Sequence, residues 1–222
     1  RTFSGSDVTA SGAISGVTTL TLSDVGGTAT LSADVDVTTL TVGNTVANVA
    51  FTGNGSTVAN AISFANDGTL ILGTSGGTQT YNGGLTTTSA GSTVTLNGTI
   101  ATSNDAIVLG SGRSLGSTTT IDTNATDTAG DITIAAITGG SNALTISTEN
   151  NITQTDVSIT GQVTGITTLH LASIGDTIVF SDNVFATTLS IDNTVRSATF
   201  NGNMTITNSF VPTNDGTLAF GG

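Results

Sequence analysis

The sequence predicts an all-β chain that coils into a parallel β-solenoid with rungs of about 20 residues. The first observation is a repeated phrase, since Val17-Thr-Thr-Leu-Thr-Leu22 recurs one rung length later as Val37-Thr-Thr-Leu-Thr-Val42. A unit of that length cannot enclose a core alone, so each copy has to be covered by the next. The second is a sustained alternation of apolar and polar residues. The third is a shortage of helix formers, because Glu149 is the only Glu and Lys is absent.

Short strands are predicted wherever two apolar residues are separated by one residue, often Thr or Ser. Such a pair points to one face of a strand, and the residue between them points to the other. Thr and Val favour this half-buried, pleated setting, whereas Gly, Asn and Asp favour turns. In chain order the pairs are Leu20 and Leu22, Ala29 and Leu31, Leu40 and Val42, Val49 and Phe51, Leu70 and Leu72, Val94 and Leu96, Ile107 and Leu109, Ile132 and Ile134, Leu144 and Ile146, Val157 and Ile159, Leu169 and Leu171, Leu189 and Ile191, and Leu218 and Phe220.

Glycine and asparagine clusters between these pairs predict the turns. The resulting strand spacing also fits tandem β-sandwich modules of about 74 residues, which stay open as the alternative. The repeated phrase favours the solenoid, because matching positions on successive rungs then stack about 4.8 Å apart. At that rung length the chain would make roughly eleven rungs.

A second periodicity, which we call the long repeat, divides the chain into three parts. It places Gly16-Val-Thr-Thr-Leu20 on Gly165-Ile-Thr-Thr-Leu169, and Phe51 on Phe200. We interpret residues 1–74 and 150–222 as two copies of one β-repeat module, and residues 75–149 as a divergent β-repeat stretch within one continuous solenoid. We expect the chain to be a segment of a longer one.

Composition restricts the partners. The formal net charge is -12, from 15 acidic residues against three arginines, and this sign disfavours nucleic acid and anionic membranes. No apolar run approaches the ~20 residues that cross a bilayer, so we expect no membrane insertion. Cysteine is absent, so stability does not come from disulfides.

Several phrases resemble the degenerate repeats of giant bacterial surface adhesins of the filamentous-haemagglutinin-like and autotransporter types. They are Gln79-Thr-Tyr-Asn-Gly-Gly84, Thr93-Val-Thr-Leu-Asn-Gly98, Gly130-Asp-Ile-Thr-Ile134 and the stretch from Asn142 to Ile152. The resemblance implies a right-handed parallel β-helix, export to the outer surface, and a role in adhesion, biofilm matrix or cell covering.

Two sets of aspartates are candidates for chemistry. Asp34 and Asp36 point the same way from one strand, as an acid/base pair would, but Asn183 and Phe185 replace them in the second copy, which favours solvated turn residues. Asp67 and Asp215 lie in matching Asn-Asp-Gly turns that could hold Ca²⁺ weakly. A tight turn, with Gly at positive φ and the Asx side chain bonded to its own backbone, is the favoured interpretation. We predict no catalytic or cofactor-binding residue, no metal site beyond these weak Ca²⁺ candidates, and no enzyme.

Other notable side chains have structural interpretations. His170 has no second His and no Cys beside it in the sequence, so we expect an ordinary exposed side chain rather than a metal ligand. Phe51, Tyr81 and Phe200 are predicted as core residues rather than a sugar-binding platform. Outward threonines are what any exposed strand prefers, but they could also form a regular ice-binding array; they are Thr19 with Thr21, and Thr39 with Thr41.

These observations predict a non-catalytic structural or adhesive repeat segment of a secreted bacterial surface protein or extracellular filament. The expected location is the bacterial cell surface or the extracellular space. The expected partner is the chain itself, end to end or within a longer repeat, because an uncovered rung is an unpaired strand edge. Cell-surface glycans are a further candidate partner. The alternative is an ice- or glycan-binding β-helix that presents an outward threonine array.

Overall fold

The structure is a computed structural model that describes residues 1–91, 93–110, 112–124, 130–148 and 155–221. Within these ranges all regular secondary structure is β, with twenty-two strands and no helix. The boundary predicted between residues 149 and 150 lies outside the described residues. The strands are β1 Thr2–Gly5, β2 Val8–Ala10, β3 Ile14–Leu31, β4 Val35–Val42, β5 Val46–Phe51, β6 Thr57–Val58, β7 Ile62–Ser63, β8 Thr69–Leu72, β9 Thr78–Tyr81, β10 Leu85–Thr86, β11 Thr93–Ala101, β12 Ile107–Leu109, β13 Arg113–Asp122, β14 Ile132–Ile134, β15 Ile137–Ser147, β16 Val157–Ile159, β17 Val163–Ala172, β18 Thr177–Phe180, β19 Val184–Ile191, β20 Ser197–Phe200, β21 Met204–Pro212 and β22 Thr217–Phe220.

The predicted parallel β-solenoid is confirmed, with about 10 turns of about 21 residues each. Turns are therefore slightly longer and fewer than the repeated phrases suggested. The tandem β-sandwich alternative is wrong, because the strand pairings of the described chain are parallel and join successive turns. Leu20 pairs with Leu40 directly across one ladder, and both side chains are buried in the same core.

Each turn contributes strand segments to three walls, defined by columns of residues in register. Wall 1 contains the column Ala29, Val49, Leu70 and Val94. Wall 2 contains the pairs Val37 with Val58 and Val58 with Tyr81 in the earlier turns. In the later turns it contains the column Ile100, Ile121, Ile146, Leu171 and Ile191. Wall 3 begins with Leu20 on Leu40, passes through the bridge from Val42 to Phe64, and continues as Ile62, Leu85, Ile107, Ile132, Val157, Ile178, Ala198 and Leu218.

Turn length varies along the stack, and this determines which walls the two copies of the long repeat occupy. The turn from Ile107 to its register partner Ile132 is longer than the turn from Ala198 to its partner Leu218. The longer turns fall in the middle of the chain. The long repeat therefore does not correspond to a whole number of turns: it spans six complete turns and then two of the three walls of the next turn. Equivalent phrases therefore lie on different walls, as Phe51 on wall 1 and Phe200 on wall 3 show.

One core runs through the described stack, from Ile14 to Phe200. In wall 3 the rings of Phe180 and Phe200 stack at 4.8 Å between centroids, as register partners on adjacent turns. Tyr81 is fully buried, and its ring meets Phe51 and Phe64 edge to face at 6.3 Å. Phe51, Tyr81 and Phe200 are thus core residues, as predicted, although each belongs to a different wall.

The Tyr81 hydroxyl is bound inside this core. It donates a hydrogen bond of 2.7 Å to Gln79 Oε1, and the Gln79 amide nitrogen donates to the Phe51 carbonyl at 2.8 Å. Burial raises the pKa of Tyr81 well above its ordinary value of 10.0. The folded protein therefore keeps a neutral phenol at pH values where the unfolded chain would ionise it.

Tyr81 predicts the alkaline stability of the protein. Tyr81 is the only Tyr, and the chain has neither Lys nor Cys, so above pH 10 the unfolded state loses a phenolic proton that the folded state retains. The free energy of unfolding should then fall by about 1.4 kcal/mol per pH unit from pH 10 upward. Urea unfolding between pH 8 and 11.5 measures this slope.

Tyr81→Phe is the matched variant for that measurement. It should lower stability by about 1–3 kcal/mol at pH 8, because Gln79 Oε1 is left buried without its donor. It should also abolish the slope above pH 10. A slope that persists in Tyr81→Phe would show that another process controls alkaline unfolding.

Candidate functional site

Two grooves open on the outer surface of the solenoid. Groove N, of about 430 Å³, is lined by the segments 16–18 and 36–38 with Thr57 and Ala59. Groove C, of about 250 Å³, is lined by the segments 165–167 and 185–187 with Ser141, Thr205 and Thr207. Each groove thus spans at least three successive turns of one wall.

The two grooves are equivalent in the repeat. Gly16 and Gly165 are related by the long repeat, and so are Asp36 and Phe185. The same strand pairing builds both, because Val17 pairs with Val37 in groove N as Ile166 pairs with Ala186 in groove C. The grooves nevertheless lie on different walls, wall 2 for groove N and wall 1 for groove C.

A β-bulge at a glycine shapes each groove. From Ile14 to Val17 strand β3 has one residue more than its partner β4, and from Val163 to Ile166 strand β17 has one residue more than β19. Gly16 has φ +69° and Gly165 has φ +65°, in the left-handed region that favours glycine. Such a bulge bends the strand locally and interrupts the flat outer face of the wall.

The lining of groove C combines an aromatic ring with free hydroxyl groups. The Phe185 side chain is 36% exposed. Thr167, Thr187 and Thr207 directly follow the paired residues of three successive turns, so they form one exposed column. In the described part of the chain, their hydroxyl groups make no hydrogen bond to the protein.

Groove N has a different character. Its Thr18 and Thr38 correspond to Thr167 and Thr187, but Asp36 replaces Phe185 and Ala59 replaces Thr207. Asp36 Oδ1 accepts a hydrogen bond of 3.1 Å from the backbone N–H of Thr57. Groove N therefore offers a carboxylate where groove C offers an aromatic face.

The aspartates Asp34 and Asp36 connect successive turns. Asp34 Oδ1 accepts from the Gly55 N–H at 2.8 Å, one turn away, as Asp36 does from Thr57. The sequence interpretation as solvated turn residues missed this contact. Asn183, which replaces Asp34 in the second copy, accepts from the Asn203 N–H at 2.8 Å, so an amide oxygen serves as well as a carboxylate. The same contact recurs at Asp7, Asn48, Asp131 and Asp156.

Asp67 and Asp215, the weak Ca²⁺ candidates, are both exposed on their turns. The Asn66 amide nitrogen donates to the carbonyls of Gly68 and Thr69, so the side chain bonds to the backbone of its own turn, as predicted. The predicted positive φ at its glycine is wrong. Gly68 is required for space, because a Cβ there would lie 2.7 Å from the Ala47 carbonyl oxygen on the preceding turn. No group of three or more His, Asp or Glu side chains that could hold a metal occurs among the described residues.

Two basic residues, His170 and Arg113, make contacts that the local sequence does not indicate. His170 is partly exposed, as expected, but its Nε2 lies 3.0 Å from Asp192 Oδ1 on the next turn. Arg113 occupies a core position in wall 1, in register with Val94 and Ile137, and only 3% of it is exposed. Its guanidinium donates to the Thr87 hydroxyl and carbonyl, and burial lowers the pKa of Arg113.

The predicted outward threonine rows are present but short. Thr19 pairs with Thr39 and Thr21 with Thr41; Thr2 extends the second row by one turn, and Ser63 follows Thr41 on the next turn. A taller column, which the sequence interpretation missed, stands on wall 2. It contains Thr78, Thr99, Thr120 and Thr145, followed by His170 and Ser190.

No stretch of the described chain forms a helix long and apolar enough to cross a membrane.

The bulge glycines predict a stability effect that depends on φ alone. A Cβ on Gly16 would meet no atom within 4 Å, so Gly16→Ala should cost about 1–2 kcal/mol from left-handed strain only. Gly26→Ala is the control, because that position is equally open and has no positive φ. Urea unfolding compares the two. Equal stabilities would contradict the bulge geometry.

The contacts between turns predict different effects for two substitutions at one position. Asp34→Asn keeps an acceptor for the Gly55 N–H and should change stability by less than about 0.5 kcal/mol, whereas Asp34→Ala should cost about 1 kcal/mol. Unfolding midpoints of the three proteins measure the difference. If Asp34→Asn were as destabilising as Asp34→Ala, the negative charge rather than the hydrogen bond would be the important feature.

No family model, curated protein or solved structure matches this chain.

Proposed function

We propose that the chain is a non-catalytic structural and adhesive repeat segment of a secreted bacterial surface protein or extracellular filament. The observation that supports this best is the continuous stack of about 10 parallel turns around one core. Such a stack grows by adding turns without changing its cross-section. It therefore supplies length and a regular outer surface.

The last described turn offers an edge for further growth. Strands β21 and β22 each pair with a strand on one side only, among the described residues. The apolar side chains on this edge are 39% exposed at Phe210, 45% at Val211 and 51% at Phe220. An open parallel edge with apolar residues can pair with another turn, either of a longer chain or of a second copy.

The basic residues also fit an extracellular setting. Trypsin-like proteases cleave after Lys and Arg, and this chain has no Lys. Arg113 is buried in the core, so Arg196 is the exposed internal arginine in the described chain. A folded segment with so few accessible cleavage sites would persist among secreted proteases.

Ice binding is the second candidate function. The column from Thr78 to Thr145 places four threonines on successive turns, about 4.8 Å apart. His170 and Ser190 continue it, so the uniform part covers fewer than half of the turns. Thermal hysteresis in a freezing assay, lost in Thr120→Leu, would support this candidate over the scaffold.

Solution scattering tests the scaffold function. About 10 turns at about 4.8 Å predict a rod about 50 Å long, and lengthening of the rod with concentration would show end-to-end association. Phe220→Asp should weaken that association by placing a charge on the open edge. Phe185→Asp, on the side of the rod, is the control. Association that is equally sensitive to both variants would contradict end-to-end growth.

A further inference from the structure

We infer that groove C binds one ring of a neutral sugar, with Phe185 as the stacking platform and the adjoining threonines as hydrogen-bond partners. This inference deepens the proposed adhesive scaffold, on which it rests, by naming the class of ligand. Three features of the groove carry it: an aromatic ring exposed on a strand that has a paired strand on each side, a column of free hydroxyls, and the absence of charged side chains from the lining.

Phe185 is exposed although its strand is not at the end of the stack. The other large exposed apolar residues of the described chain belong to the last turn. Phe210 and Phe220 are in register with the buried Leu189 and Phe200, so a further turn would cover them, whereas Val211 follows Ser190 in the outward column of wall 2. Phe185 lies in β19, which is paired with β17 on one side and β21 on the other. No added turn can therefore bury its ring. An exposed aromatic ring in such a place has a face available to a ligand.

The threonine column supplies hydrogen bonds of the kind a sugar requires. A threonine hydroxyl has one donor and two acceptor positions, so it can match a sugar hydroxyl in either direction. Thr187 lies two residues from Phe185, and Thr167 and Thr207 flank it on the adjacent turns. A ring that stacks on Phe185 would have its hydroxyl edge directed at this column.

The size and charge of groove C restrict the ligand further. Its volume of about 250 Å³ is below the usual range for drug-sized ligands, which suits one ring rather than a chain segment buried along its length. Its lining contains no Lys, Arg, Asp or Glu. Because the protein carries a net charge of -12 and the groove offers no cation, acidic sugars are disfavoured.

Groove N serves as an internal reference. It has the same bulge and the same threonine positions as groove C, but Asp36 replaces the platform and Ala59 replaces one hydroxyl. It should therefore bind the same sugar more weakly. Exchanging the residue at this position between the grooves tests the role of the ring, although Asp36→Phe also removes the hydrogen bond that Asp36 accepts from Thr57.

Isothermal titration calorimetry on the full chain tests the inference. The probes are maltotetraose, cellotetraose, mannotetraose and chitotetraose, with tetragalacturonate as the acidic comparison. We expect at least one neutral probe to bind at one site, with affinity reduced about tenfold or more in Phe185→Ala and in Phe185→Asp. Asp36→Phe should add a second, weaker site, because Ala59 still lacks the hydroxyl of Thr207. Phe210→Ala removes an exposed aromatic ring outside the groove and should leave affinity within about twofold of the original.

Three results would overturn the inference. They are the absence of heat from all four neutral probes at millimolar concentration, binding that is unchanged in Phe185→Ala, and tighter binding of tetragalacturonate than of any neutral probe. Solution scattering on the same samples keeps the two proposals separate. A rod that grows end to end but binds no neutral probe would remove the sugar site and leave the scaffold.

Discussion

The structure depends on one constraint: each turn can satisfy its backbone hydrogen bonds and cover its apolar side chains only through the turns on either side. The strands are short, and the pairing is parallel throughout the described chain. Register is therefore set by stacking like on like, as the column from Ile100 to Ile191 shows. A one-residue slip would turn a buried aliphatic residue outward and an outward Thr inward, which the core cannot accommodate.

The corners between walls need a second kind of support, because the ladder is interrupted where the chain bends. Side chains of Asp, Asn, Ser and Thr supply it by accepting from backbone N–H groups one turn away. Asp24 N–H donates to Thr45 Oγ1 at 2.8 Å, and Ser173 N–H donates to Thr194 Oγ1 at 3.1 Å, at equivalent places in the two copies. Asp34 and Asp36, which sequence analysis treated as solvated turn residues, contribute to the connection between turns in the same way.

Local patterns in the sequence were enough to predict the solenoid and most of the core, because inward and outward positions follow from alternation alone. They were not enough to predict the grooves. The phrase from Gly16 to Thr18 is visible as a repeat, but the bulge depends on pairing with a strand one turn away. The core position of Arg113 is likewise not visible locally, since it follows from register with Val94 and its stabilisation from Thr87. The requirement for glycine at Gly68 also comes from the preceding turn.

The unequal length of the turns has a consequence for how a longer chain of such modules would meet its surroundings. Copies that recur after six turns and two walls are rotated by two thirds of a revolution about the fibre axis. Successive grooves would then face three directions in turn, about 120° apart around the fibre axis, and every third copy would face the same side. A flat surface would engage one groove in three, whereas a gel-like or fibrous environment could engage them all. The few extra residues in the middle turns thus determine the direction in which each groove faces around the fibre axis.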